Sequence, residues 1–186
     1  MTMCHYFRRM AENNLWANDR LYRAVLGLDQ DAFEAARTSF FPSIKATLNH
    51  ILLVDLYYLD MLRQGGEGLL ILQRWTDIRD PVALFDAQSS CDRDYLTVCN
   101  ALREDDVSRL VVTDRGSAGQ VMERTGDLLM HIFMHDVHHR GQVHAMLSGT
   151  SVAPPQLDEY FLDFDLERRR TEVLRLGLGT SKEVDR

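Results

Sequence analysis

Apolar residues recur at alternating spacings of three and four along the first part of the chain, which is the period of one face of an α-helix. The row contains Phe7, Met10, Asn14, Ala17, Leu21, Ala24 and Leu28. It predicts a first helix from about residue 3 to 26. Asn14 interrupts the apolar row, so it is either a hydrogen-bonding core residue or part of a pocket wall.

A second helix is predicted from Ser43, a good N-cap that follows a proline, to the chain stop at Gly65-Gly66. From Ile51 to Leu62 it is apolar on nearly every side, interrupted only by Asp55 and Asp60. Such a helix is either buried on all sides or packs one face against a partner subunit.

Two more helices complete the pattern. The third is predicted from Pro81, a favourable first-turn residue, to about Arg103, and the fourth from Thr125, a candidate N-cap, to about Leu147. Between them, residues 109–114 and 119–123 flank a glycine-containing turn and predict a short hairpin-like connection.

We therefore predict an all-α fold, a four-helix bundle with short C-terminal helices after Pro154-Pro155. One bundle domain is expected over residues 1–178, and residues 179–186 are expected to be a disordered tail.

Composition narrows the range of partners. The 186 residues carry a net charge of −7, and no basic arm is present, which disfavours nucleic acid and anionic membranes as partners. No apolar run is long enough to span a bilayer, and the first residues do not resemble a signal peptide. The three cysteines lack Cys-x-x-Cys spacing and fit reduced thiols, so a cytoplasmic protein is expected.

The fourth helix holds the most distinctive chemistry, because four of the seven histidines lie within residues 131–139. His135 and His139 are separated by four residues and project from one helix face about 40° apart, a spacing that can hold two sites of one cation. The pairs His131/His135 and His135/His138 also have helical spacing, so spacing alone leaves several ligand sets open.

His50 lies on an apolar row of the second helix, where an imidazole needs a partner. Bundle cores commonly assemble metal sites from facing helices. If His50 meets the face of His135 and His139, three neutral imidazoles would hold one divalent cation. Zinc or nickel is the first expectation, and iron is also compatible with these ligands.

Three motifs, taken in order, resemble the DinB/YfiT-like proteins: N-x-W-A-N at residues 14–18, T-L-N-H-I at 47–51 and H-x-x-x-H-H-R-G-Q at 135–142. The resemblance covers about residues 5–165. It implies a four-helix bundle in which His50, His135 and His139 hold the metal, and it favours a homodimer. His131 and His138 then fall outside the ligand set and are expected to have supporting roles.

The family resemblance implies a metal-dependent enzyme acting on a small-molecule substrate, either a thiol-S-transferase or a hydrolase. Understood relatives use bacillithiol or mycothiol, and others are described as hydrolases. The alternative is a non-catalytic, stress-associated bundle whose metal is structural. No general base is predicted: Asp136 points about 100° away from His135 and is expected to serve solvation or packing, while Asp55 could contact a ligand or a partner subunit.

Overall fold

The computed structural model describes residues 2–179, and residues 180–186, most of the expected tail, lie outside the described residues. In chain order its elements are α1 (Met3–Val25), α2 (Gln30–Glu34), α3 (Ile44–Arg63), α4 (Gly68–Arg74), α5 (Pro81–Ala101), α6 (Glu104–Val107), β1 (Leu110–Asp114), β2 (Gln120–Arg124), α7 (Thr125–Leu147) and α8 (Leu166–Leu176). Of the two short C-terminal helices expected, the first is a single 3₁₀ turn at Asp163–Asp165.

The four long helices pack into the predicted four-helix bundle, with α1 against α5 and α7, and α3 against the same two helices. The core of the bundle includes Leu21, Leu48, Ile51, Tyr95 and Phe133, each at most 2% exposed. The fold class predicted from the hydrophobic period is confirmed. None of the helices within residues 2–179 combines the length and apolar character that crossing a bilayer requires.

The second bundle helix, α3, begins and ends close to the predicted positions. The Ser43 hydroxyl accepts a hydrogen bond from the backbone N–H of Ala46 at 3.1 Å, which caps the helix as expected. At the other end the left-handed residue is Gln64, with φ of 56°, and not the glycine after it. Between these ends α3 is covered by α4, α5 and α7, so its apolar faces are largely buried within the chain.

The predicted hairpin is present as the antiparallel pair β1 and β2, in which Val112 lies opposite Met122. It leads directly into α7. Thr125 is the first residue of that helix and not its N-cap, a position that Arg124 occupies without a side-chain hydrogen bond. The Thr125 hydroxyl instead donates to the Arg109 carbonyl at 3.1 Å, because the residue is buried against the hairpin.

The C-terminal part of the chain covers the outer face of α1 with a second, smaller apolar cluster. Trp16 and Tyr160 pack with their ring centroids 5.5 Å apart, and Val173 and Leu176 of α8 complete the contact. The Trp16 indole N–H also donates to Glu172 at 2.8 Å. The opposite face of α1 is thereby left to the bundle core.

Candidate metal centre

The bundle brings together the three histidines that the motifs single out. His50 of α3 meets His135 and His139 of α7, and one ring nitrogen from each lies within 4.8 Å of the others. The two Nε2 atoms of His50 and His135 are 3.0 Å apart. A tetrahedral zinc site, with Zn–N bonds of about 2.0–2.1 Å, places its nitrogens about 3.3 Å apart. The observed arrangement therefore fits a single cation.

Two of these imidazoles, those of His50 and His139, are held in the neutral form that a metal ligand needs. Burial, together with the neighbouring imidazoles, lowers the pKa of His50 from 6.5 to about 4. Burial also lowers the pKa of His139. Both rings are neutral at pH 7, so each has a lone pair available for a cation.

The rings of the two α7 histidines are held by neighbours on their Nδ1 side. His139 Nδ1 donates to Gln142 Oε1 at 2.9 Å, and the Gln142 amide in turn donates to His138 Nε2 at 3.1 Å. His135 Nδ1 faces Asp136 Oδ1 at 3.5 Å, a long hydrogen bond. With Nδ1 engaged in this way, the Nε2 atoms are left free for a cation. His138 thus supports Gln142 from an exposed position, outside the triad.

A cavity of about 450 Å³ opens beside the three histidines. Its walls include Val54, Tyr57, Tyr58, Leu69, Leu72, Asp114, Arg115 and His131. Arg115 donates to the Tyr58 hydroxyl at 2.6 Å, and burial lowers the pKa of His131. Phe41 lies against the triad, with its ring centroid 4.2 Å from that of His50. The histidines therefore border an apolar cavity with a few polar groups, the usual composition of a small-molecule site.

The triad has room for a further ligand. Within residues 2–179, no fourth imidazole, thiol or carboxylate lies within 4.8 Å of all three histidine nitrogens. Three protein ligands with a free position is the pattern of catalytic zinc sites, whereas structural sites are closed by a fourth side chain.

A buried polar cluster lies behind His135, and sequence reasoning did not predict it. Asp55, Asp92, Asp136 and Arg140 are all at most 4% exposed, and Arg140 lies 3.9 Å from Asp136. Oxygens of Asp55 and Asp136 and a nitrogen of His135 lie within 4.8 Å of one another. Of the two roles expected for Asp136, solvation and packing, solvation is wrong, because its helix face is covered by α1 and its carboxylate faces the ring of His135.

The charges of this cluster are unusual for a bundle core. Burial, reinforced by the carboxylates of Asp136 and Asp92, raises the pKa of Asp55 well above its ordinary value. Burial raises the pKa of Asp92 to about 7, although it accepts hydrogen bonds from the amides of Asn18 and Gln88. One arginine therefore faces three carboxyl groups of which at least one holds a proton near neutral pH.

Replacing Asp92 with asparagine is expected to change how stability depends on pH. The folded protein keeps a proton on Asp92 up to about pH 7, whereas the unfolded chain releases it near 3.8. The stability from this group is present in full below the lower pKa and is lost as the pH rises through the higher one. Relative to the variant, the free energy of unfolding of the wild type should fall by up to about 1.4 kcal/mol per pH unit in that window.

Urea unfolding of both metal-free proteins from acid to weakly alkaline pH measures this difference, since the histidines contribute alike to both curves. Asp94→Asn is a matched control, because Asp94 lies on the same helix but pairs with Arg63 at the surface. The control shows what removing an exposed carboxylate of the same helix does to the curve, and the Asp92→Asn curve should differ from it in that window. An Asp92→Asn curve that runs parallel to the control curve would show that Asp92 carries no such proton.

Comparison with known proteins agrees with the architecture. The model of the DinB family matches residues 3–170. Protein DinB of Bacillus subtilis strain 168 is 23% identical over 165 residues, which cover 85% of this chain and 95% of that protein. The crystal structure of a DinB-like protein, YjoA of Bacillus subtilis, matches with a TM-score of 0.57 at 15% identity, over 78% of this chain and 96% of that chain. The match to YjoA supports the fold alone.

Proposed function

The chain belongs to the DinB family, as its motifs predicted, and we propose that it is a metal-dependent enzyme acting on a small molecule, either as a thiol-S-transferase or as a hydrolase. His50, His135 and His139 are proposed to hold one divalent cation, with zinc or nickel the leading expectation and iron also compatible. A homodimer and a cytoplasmic location stay predictions.

One observation carries this proposal: three imidazoles converge at the edge of a cavity of about 450 Å³. A cation whose only role was to join α3 to α7 would need no such space. Pockets of roughly 300–1,000 Å³ are the size that holds small molecules. The arrangement therefore favours catalysis over a purely structural metal.

When bound, the cation supplies Lewis acidity, which lowers the pKa of a water or thiol in its open position. The chain's own groups hold and shield that position. Val54, Leu69 and Leu72 form apolar walls beside it, and Phe41 packs against the His50 ring. His131, neutral at pH 7 because burial lowers its pKa, can accept a proton from inside the cavity.

Metal removal is the experiment that tests the proposed function. Protein purified without a tag is stripped with a chelator and assayed for transfer of a small thiol to chlorodinitrobenzene and for hydrolysis of a nitrophenyl ester. We expect activity in one assay to fall to background and to return with one equivalent of zinc or nickel. The apo-protein should still melt cooperatively, because a large apolar cluster holds the long helices together without the cation.

The melting curve separates this function from the non-catalytic alternative. If the metal only ties α3 to α7, its removal should unfold the bundle or lower its melting temperature sharply, and neither assay should respond to metal. Activity that persists in the stripped protein would contradict the metal-dependent proposal. His144→Ala serves as a control variant, since His144 donates to the Pro155 carbonyl outside the cavity.

A further inference from the structure

Asn14 links the metal centre to a helix that supplies none of its proposed ligands. It lies on α1, and its side-chain amide donates to Asp136 Oδ2 at 2.7 Å, across 122 residues of sequence. Asp136 in turn faces His135 Nδ1 through its other oxygen. A chain of contacts therefore runs from α1 through one carboxylate to the ring of a proposed ligand.

Both polar groups of Asn14 are used in this arrangement. Besides its bond to Asp136, the amide nitrogen contacts Asp92 Oδ1 at 3.3 Å, and the amide oxygen accepts a hydrogen bond from Arg140. The side chain is 1% exposed. Because every bond is made inside the core, Asn14 cannot rotate without leaving a buried polar atom unsatisfied, which is unfavourable. It therefore fixes the carboxylate of Asp136 firmly.

We propose that Asn14 is a positioning residue of the metal centre, which holds the Asp136 carboxylate against His135 Nδ1 and thereby directs His135 Nε2 toward the cation. The inference rests on the proposed three-histidine metal site and extends it to α1. It gives a physical role to the first residue of the N-x-W-A-N motif. Outer-shell partners of this kind fix both the tautomer and the orientation of a ligating imidazole.

Asn18 provides a matched control on the same helix. It lies one turn beyond Asn14 and is 2% exposed. Its amide donates to both oxygens of Asp92 at 3.0 Å, and its oxygen accepts from Arg140 at 3.1 Å. Asn18 thus shares the buried cluster and two of its partners but makes no hydrogen bond to Asp136. Its loss should disturb the core without releasing the carboxylate behind His135.

The test is a double-mutant cycle on zinc affinity, measured by competition with a chromogenic chelator. Asn14→Ala should weaken zinc binding by about 10-fold to 100-fold, the range for loss of an outer-shell partner. Asn18→Ala should change it by less than about 3-fold. In an Asp136→Ala background, Asn14→Ala should also have an effect below about 3-fold, because the carboxylate that it is proposed to position is gone. Melting of each apo-protein gives the stability cost separately.

Two results would overturn the inference: zinc affinity of Asn14→Ala equal to that of the wild type or of Asn18→Ala, or effects of Asn14→Ala and Asp136→Ala that multiply as independent losses. If a variant does not fold, a measurement on the wild-type protein still tests the inference. Its Asn14 side-chain amide signals in a ¹⁵N spectrum should shift on addition of zinc, and unmoved signals would overturn the inference. A wild type that binds no zinc refutes the proposed metal site itself, a different outcome.

Discussion

Replacing His135 with alanine is expected to abolish stoichiometric metal binding while the bundle stays folded. The three rings form a nearly equilateral triangle: the ring centroid of His135 is 5.0 Å from that of His50 and 4.4 Å from that of His139, and the centroids of His50 and His139 are 4.7 Å apart. Loss of His135 removes one of the three donors and leaves only two to hold the cation. Affinity for zinc should fall by more than the roughly 100-fold that loss of an outer-shell partner costs.

Elemental analysis of tag-free protein and a zinc titration of the apo-protein measure this effect. His144→Ala is the matched control, because His144 is on the same helix and its ring donates to the Pro155 carbonyl, away from the triad. That variant should keep about one ion per chain with unchanged affinity. If His135→Ala also keeps one ion per chain, the cation is not held by the three histidines.

Replacing Arg140 with methionine is expected to destabilise the fold by about 3–5 kcal/mol, the usual cost of removing one partner from a buried ion pair. The Arg140 guanidinium is the positive group facing Asp136, and it donates to the amide oxygens of Asn14 and Asn18. Without it, buried carboxylates are left uncompensated. Methionine keeps most of the side-chain volume, so a cavity contributes little to the loss.

Urea unfolding of the apo-protein measures that loss, which should shrink at acid pH because protonated carboxyl groups no longer need a counter-charge. Arg23→Met is the control. Its side chain is 52% exposed, and its partner Asp19 keeps a second ion pair with Arg175. The control should cost no more than about 1 kcal/mol. An equally small loss for Arg140→Met would show that the buried carboxyl groups are neutral without the arginine.

Local sequence signals were sufficient for the main elements of the fold. The cap at Ser43 depends on a side chain adjacent to the helix it starts, and it holds the expected backbone N–H. Pro81 likewise begins its helix as predicted. The short helices α2, α4 and α6 contain between four and seven residues, which is too few for a hydrophobic period to be visible. The cap of α7 was misplaced because the contact between Thr125 and Arg109 is tertiary.

In the candidate site too, some residues could be predicted from local sequence signals, and others depend on how the helices pack. His135 and His139 share a face because they are four residues apart on one helix, and the family motifs add His50 from another. The polar cluster behind them depends on how α1, α5 and α7 face each other, as the bond from Asn14 to Asp136 shows. The sequence did contain one indication of this cluster. Asn14 and Asn18 lie one turn apart on the buried side of a helix, where polar residues need hydrogen-bond partners.

The N-x-W-A-N motif illustrates how one helix segment serves two surfaces. Asn14 and Asn18 point into the bundle core toward Asp92 and Arg140. Trp16, about 160° away from Asn18 on the helix, packs on the C-terminal segment and donates to Glu172. Within this motif, Trp16 therefore holds the C-terminal segment against α1, and the side-chain amides of Asn14 and Asn18 make hydrogen bonds in the polar cluster behind the histidines.

The most direct test of the central claim is anomalous diffraction from crystals of tag-free protein, recorded across the zinc, nickel and iron absorption edges. We predict one strong peak per chain, bonded to ring nitrogens of His50, His135 and His139, with an open position facing the cavity that His131 lines. The absence of a peak at the triad, a peak elsewhere in the chain, or a fourth protein side chain closing the site would contradict the proposed catalytic metal centre.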